Sequence, residues 1–276
     1  MAKLSQAFQF GRCRFAVEAD DPQLIEWIES LFLPDNQPGA MLIVVKLSDF
    51  QCDEEFSSRS LQDQRSLMIS GLLRRLYECH VDCIWMDAAT VRSPNDKLVL
   101  LAGPSCAGKT TLALAMSLAR GWKILSEDIT LIDPVRNDVL ACPTPSGMRA
   151  GTADKLVTFA NLKEGISDRE GWFFDKNLYF RKSMPAKFDM AVFLDPLDET
   201  DNTGACTMSV RALSAYEYIK SVLPYSNLLR LDDKIGVLYH AIENSRCLKL
   251  RRGSLPERVD FLSQVQQEVA SSKEKL

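Results

Sequence analysis

The sequence lacks the features that define several classes of protein. No apolar run approaches the roughly 20 residues that a helix needs to cross a bilayer, and the opening MAKLSQAFQFGRCRF contains no continuous apolar core of the signal-peptide type. The net charge is −4 and no long Lys/Arg run is present, so a basic face for nucleic acid is not indicated. We therefore expect a cytoplasmic protein that binds neither nucleic acid nor membranes.

Metal-binding patterns are equally scarce. The chain has two histidines, His80 and His240, and none of its eight cysteines forms a C-x-x-C pair. Cys79 and Cys83 flank His80, but a zinc site needs further ligands at metal-binding spacing. We therefore expect free thiols rather than a zinc centre.

The composition is that of an ordinary globular protein. The chain has 276 residues, of which 25% are charged and 46% hydrophobic. This length suits one large domain or one domain with a small companion. No repeat and no Pro- or Gly-rich linker is present, and we place a soft boundary near residue 92. Residues 1–92 would form a small N-terminal α/β region, and residues 93–276 the main domain.

The most informative segment is GPSCAGKT, at residues 103–110. It fits G-x-x-x-x-G-K-[ST], in which glycines allow the backbone to curl so that several N–H groups point at a polyphosphate. The preceding KLVLLA is typical of a buried strand. The following TTLALAMSLAR is an Ala/Leu-rich helix that should end at Gly121. This strand–loop–helix context favours a P-loop over a chance turn.

The motif predicts a site for ATP and Mg²⁺. Lys109 would bring a positive charge to the β- and γ-phosphates, and the Thr110 hydroxyl would ligate Mg²⁺. Cys106 is either a thiol whose pKa the helix amides lower or a small filler residue, and we favour the second. The predicted nucleotide-binding residues are Gly103, Ser105, Cys106, Ala107, Gly108, Lys109, Thr110 and Thr111.

The rest of the pattern predicts an α/β protein. Alternating and apolar runs indicate strands within residues 7–19, 41–47, 83–91, 123–125, 129–132 and 188–196, with an edge strand at 247–250. Helices are indicated from Pro22, over 64–77, 213–224 and 233–244, and from Leu255. Residues 151–187 have no clear pattern, and we weigh a substrate loop or lid equally against a surface insertion.

Phosphoryl transfer also needs acidic residues that hold Mg²⁺ and orient the attacking hydroxyl. Glu127 and Asp128 follow the strand after the P-loop helix, and we favour this pair over Asp195, which ends an apolar strand. Asp128 is the predicted metal ligand, and either acid can be the base. A shared site should also raise the pKa of one of the two carboxyl groups.

Cations are needed around the transferring phosphoryl group as well. Arg149 follows the turn-rich PTPSGM and is the predicted catalytic cation. Arg181, Lys182 and Lys187 flank the second long strand and are more simply explained as surface residues.

The segment GPSCAGKTTLALAMSLARGWKILSEDITLID, followed by Pro143-Thr144-Pro145 and Arg149, resembles the HPr serine kinase-like family. The resemblance implies an α/β P-loop kinase core of the HPr kinase/phosphoenolpyruvate carboxykinase type. It also implies that Glu127 and Asp128 stand where the family has an acidic pair, and that Arg149 matches a family arginine. Relatives are often homo-oligomers, and some phosphorylate a serine of lasso-type or other ribosomal peptide precursors.

The chain departs from the family in three places. Glu127 stands where the family usually has aspartate, which is the best argument for a regulatory protein with little catalysis. The E-I-R-G core of true HPr kinase/phosphorylases is replaced by TADKLVTFANLK, and Asp87 stands where the family often has histidine. We therefore expect a peptide or protein other than HPr as the serine-bearing partner. Two alternatives stay open, namely a small-molecule kinase of the same fold and a nucleotide-dependent regulatory protein with little catalysis.

Overall fold

The computed structural model describes residues 3–19, 22–32, 34, 42–46, 61–147, 152–160, 172–173, 175–195, 207–231 and 233–273. These residues form a mixed α/β structure with a central mixed sheet. The helices are α1 (Pro22–Leu31), α2 (Leu61–Glu78), α3 (Lys109–Arg120), α4 (Thr152–Ala160), α5 (Ala215–Val222), α6 (Ile235–Ile242) and α7 (Leu255–Lys273). None of these described helices is both long and apolar enough to span a bilayer.

The strands are short and lie mostly in the main sheet. They are β1 (Lys3–Leu4), β2 (Phe8–Phe10), β3 (Cys13–Ala19), β4 (Leu42–Lys46), β5 (Ile84–Arg92), β6 (Leu98–Ala102), β7 (Lys123–Ser126), β8 (Ile129–Asp133), β9 (Asp138–Val139), β10 (Ser146–Gly147), β11 (Trp172–Phe173), β12 (Met184–Pro185), β13 (Met190–Leu194), β14 (Ser209–Leu213) and β15 (Arg246–Arg251).

The N-terminal part forms its own small sheet around β3. Strands β1 and β2 pair with β3 antiparallel, and β4 pairs with it parallel. Phe8, Phe10 and Phe15 are fully buried against α1 and α2, because one side of each strand and one face of each helix are apolar. This core reaches the main sheet through Leu131.

The main sheet has the order β12-β9-β8-β5-β6-β13-β15-β14, with β7 also beside β5. Strands β6, β13 and β15 run parallel, while the strands around β5 run antiparallel. Every residue of β6 and β13 is buried, which explains their continuous apolar sequence. Helices α3 and α7 cover one face of the sheet, and α5 and α6 cover the other.

Most predicted elements are confirmed, and one prediction is wrong. The strand at 247–250 is not at an edge, because β15 lies between β13 and β14. The stretch 151–187, which had no clear sequence pattern, contains α4 and a short strand, β12, that pairs with β9. Strand β5 ends at the proposed boundary near residue 92 and pairs with β6, and the division into two domains stays a prediction.

Candidate active site

The segment between β6 and α3 is a tight loop built on left-handed residues. Gly103, Cys106 and Gly108 have φ angles of 150°, 69° and 90°. A Cβ on Gly103 would lie 2.3 Å from the carbonyl oxygen of Leu194 in β13, so only glycine fits there. Close contact with β13 and the curled backbone therefore fix the course of this loop.

The loop leads directly into the positive end of α3. The helix begins at Lys109, and Gly108 precedes it without a side-chain cap. First-turn amides of a helix have no acceptor within the helix, and the helix dipole adds partial positive charge there. Such an end is a general binding place for phosphate.

Lys109 is buried and holds the loop closed. Its ammonium group donates to the carbonyl oxygens of Gly103 at 2.9 Å and Pro104 at 3.0 Å. It also pairs with Asp87 of β5, with 2.6 Å between Nζ and Oδ1. No pattern in the sequence links these two residues, since Asp87 could equally have faced solvent.

Glu127 is the most perturbed carboxyl group of the site. It is only 3% exposed, and the hydroxyl groups of Thr110 and Ser146 donate to it. Burial, and secondarily the charge of Asp128, raise its pKa from 4.5 to about 8. The sequence predicted a raised pKa from the paired acids, whereas burial is the larger cause.

Asp128 lies at the same turn and lines the cleft. The protein around it removes solvent and raises its pKa, the charge of Asp87 raises it further, and Lys109 opposes the increase. Three acids and one lysine thus share a small region. Their charges interact, so replacing Asp87 or Lys109 will change the pKa of Asp128.

Hydrogen bonds fix the turn that carries both acids. The backbone N–H of Ala88 donates to the Asp128 carbonyl oxygen at 3.2 Å, which ties the turn to β5. Behind it, the buried hydroxyl of Thr130 bonds those of Thr90 at 2.8 Å and Ser126 at 3.0 Å. Buried polar networks of this kind hold their members in one arrangement.

A cleft of about 1300 Å³ opens in front of the loop. Its lining includes residues 105–108 of the loop, the start of α3, both acids and Arg258 of α7. Arg74 and Tyr77 of α2, Trp85 of β5 and Arg230 also line it. The volume exceeds the range of about 300–1,000 Å³ of most ligand pockets.

The cleft gathers most of the residues predicted from the sequence, but not all. Residues 105–111, Glu127 and Asp128 line it, whereas Arg149 lies outside the described residues. Asp195 pairs instead with Lys249 at 3.1 Å and Arg251 at 3.3 Å. The remaining predicted cations are exposed and do not line the cleft; they are Arg181, Lys182 and Lys187.

The stretch 151–187 contributes to the site at two points. Thr152 and Lys155 of α4 line the cleft. Tyr179 is buried and shares a 3.2 Å hydrogen bond with Ser146, the residue that donates to Glu127. Tyr179 and α4 pack against the rest of the protein, so this stretch is not a simple surface insertion. Its interpretation as a lid stays a prediction.

Sequence reasoning missed Arg258, which reaches the loop from a distant position in the chain without a local motif to mark it. It noted Asp87 only as the replacement of a family histidine and did not predict its ion pair with Lys109. The described residues include no cluster of three or more His, Cys, Asp or Glu side chains suited to a metal. A Mg²⁺ ion often uses only one or two carboxylates together with phosphate oxygens.

Comparisons with known proteins are sparse. No protein-family model matches the sequence, and no curated protein matches it. Among solved structures, the HPr(Ser) kinase/phosphatase from Coxiella burnetii is similar at 12% identity, over 67% of this chain and 98% of that chain, with a TM-score of 0.30. That score is too low to support a statement about shared fold or function.

Proposed function

We propose that this protein is an ATP- and Mg²⁺-dependent kinase that transfers the γ-phosphate to a serine hydroxyl of a peptide or protein. The observation that carries the proposal is one cleft lined by residues 105–111, which include Lys109 and Thr110, together with Glu127 and Asp128. These are the parts that phosphoryl transfer requires, namely a phosphate cradle, a fixed cation and acids beside them.

The nucleotide end of the cleft is supported by the loop geometry. Three left-handed residues precede the start of α3, and successive backbone N–H groups in such a turn can form an anion-binding concavity. Lys109, now held by two carbonyl groups and Asp87, would exchange these partners for phosphate oxygens. Its burial keeps the charge close to the phosphates instead of in water.

Oxygen donors suited to Mg²⁺ stand beside this end. Thr110 and Asp128 are the proposed ligands, and the hydrogen bond between Thr110 and Glu127 favours Glu127 for the same role. Hydroxyl and carboxylate oxygens are the ligands that Mg²⁺ prefers, which fits these residues. When bound, the ion would neutralise charge on the phosphates.

The acids also provide a place for the acceptor proton. As the serine oxygen bonds to the γ-phosphorus, the bond to the leaving ADP oxygen breaks, and a carboxylate takes the hydroxyl proton. A carboxylate that ligates Mg²⁺ is a weak base, so the acid of this pair that does not hold the ion takes the proton. Glu127 also holds Thr110 through their hydrogen bond.

The part of the cleft wall beyond the loop and the acids favours a peptide over a metabolite. It presents mixed apolar and charged side chains, with Val81 largely exposed and Trp85 partly exposed. The volume beyond a nucleotide would allow an extended segment to reach the acids. A small acceptor would leave much of this wall in water, which is the structural argument against a metabolite kinase.

The test is transfer of label from γ-labelled ATP with Mg²⁺ to serine peptides, HPr and free serine. Lys109→Ala should abolish transfer, while Lys187→Ala, an exposed lysine outside the cleft, should not. Label on free serine alone would indicate a metabolite kinase. ATP binding without any transfer would favour a regulatory protein, and substantial turnover by Lys109→Ala would refute the assignment of the loop.

A further inference from the structure

Arg258 brings a buried charge to the loop from the far end of the chain. It lies in the first turn of α7, is 7% exposed and lines the cleft. A guanidinium group is costly to bury unless it has a defined role or good partners. None of the phosphate, metal and acid roles proposed above belongs to Arg258.

The segment before α7 holds Arg258 in place. Ser254 and Glu257 cap the helix, with the Ser254 N–H donating to the Glu257 carboxylate at 2.6 Å. Arg252 and Gly253 are both left-handed, with φ angles of 61° and 86°. This turn directs the Arg252 carbonyl oxygen at Nε of Arg258, which donates to it at 2.9 Å.

The other end of the guanidinium group contacts the loop itself. Nη1 donates to the carbonyl oxygen of Ala107 at 3.4 Å and lies 3.8 Å from where a Cβ on Gly108 would be. The peptide bond between these residues is trans, because the described residues contain no cis peptide. In a trans peptide the carbonyl and N–H point in opposite directions, so the Gly108 N–H is directed away from Arg258.

We propose that Arg258 is a positioning residue of the phosphate-binding loop. It holds the Ala107 carbonyl group so that the Gly108 N–H faces a bound polyphosphate, and it adds a fixed positive charge at the loop. This inference rests on the proposed nucleotide binding. It also supplies a cation in addition to Lys109 and Arg149, to which the sequence pointed.

Contacts that do not involve Arg258 attach α7 to α3 and to the rest of the protein. Arg120 of α3 pairs with Asp260 of α7 at 2.5 Å, and Gln266 donates to Ser93 at 2.9 Å. Val259 and Leu262 are fully buried in the same core as α3. Loss of the Arg258 guanidinium should therefore leave α7 in place and change mainly the loop.

The experiment compares Arg258→Gln and Arg258→Lys with Arg120→Gln, which breaks only the surface ion pair between the same two helices. Arg258→Gln should weaken ATP binding about tenfold to a hundredfold, since a charge-assisted hydrogen bond is lost. Arg258→Lys should be intermediate, because an ammonium cannot reproduce the fork that reaches both carbonyl groups. Arg120→Gln should bind ATP like the wild type, and all variants should melt cooperatively.

A second readout needs no nucleotide. Amide hydrogen exchange over residues 103–112 should be faster in Arg258→Gln than in the wild type, and unchanged in Arg120→Gln. Normal exchange, or normal ATP affinity in Arg258→Gln, would overturn the inference. If the wild type and Lys109→Ala show equal affinity for ATP, the proposed function fails, while the exchange rates still decide whether Arg258 positions the loop.

Discussion

Replacing Glu127 by glutamine should change how protein stability depends on pH. The carboxyl is buried, and its pKa is raised from 4.5 to about 8. Between these values the unfolded chain has released this proton and the folded protein still holds it. The contribution to stability is therefore complete below pH 4.5 and is lost as the pH rises through about 8.

The size of the effect follows from the same interval. One pH unit corresponds to about 1.4 kcal/mol, so the interval from 4.5 to about 8 sets an upper limit near 5 kcal/mol on the loss. The amide introduced by Glu127→Gln would stay neutral and could still bond the hydroxyls of Thr110 and Ser146. We expect this variant to match the wild type near pH 4.5 and to exceed its stability by about 2 kcal/mol or more at pH 9.

The assay is urea unfolding at several pH values in buffer with EDTA and without nucleotide. Glu26→Gln is the matched control, because it removes a carboxyl group from an exposed position on α1. The control corrects for the loss of one carboxyl group at a site away from the cleft. A difference between Glu127→Gln and the wild type that stays constant with pH, or lower stability than the wild type at pH 9, would refute the reasoning.

Three further predictions concern stability. Gly103→Ala should lower the free energy of unfolding by more than about 1 kcal/mol in thermal melts, because the new Cβ would clash with the Leu194 carbonyl oxygen. Gly236→Ala is the control: a Cβ there meets open space in α6, so this variant should be as stable as the wild type or more stable. Asn227→Ala should lower the free energy of unfolding, measured in urea, by about 1–3 kcal/mol. The Asn227 side chain accepts from the Trp85 N–H and donates to the Cys83 carbonyl, and alanine leaves both groups without this partner. Burial lowers the pKa of His80 below 6.5, so the folded protein should lose stability as the pH falls below that value. The melting temperature of His80→Gln should therefore fall less than that of the wild type over the same pH range.

The raised pKa of Glu127 also bears on the order of events at the site. At pH 7 this carboxyl is mostly protonated in the nucleotide-free protein, because its pKa is about 8. A cation near Thr110 would favour the charged form and release the proton. Nucleotide binding with Mg²⁺ should therefore release protons near neutral pH, which calorimetry in buffers of different ionisation enthalpy measures.

The local parts of the site were predictable from the sequence alone. The spacing of Gly103, Gly108, Lys109 and Thr110 encodes a strand–loop–helix unit, because left-handed turns and helix starts depend on a few neighbouring residues. The acid turn was predictable for the same reason, since two short apolar runs bound Glu127 and Asp128. Helices with regular apolar spacing, such as α3 and α5, were also found where the pattern placed them.

Only the tertiary structure decided what meets at the cleft. Arg258 reaches Ala107 across 151 residues of chain, and Asp87 reaches Lys109 because β5 and β6 pair in one sheet. Strand order put β15 inside the sheet, although its residues could equally have formed an edge. Burial of Glu127 likewise depends on distant packing. Sequence spacing determines backbone geometry over one or two turns, whereas long-range contacts depend on how whole elements pack, which no local pattern records.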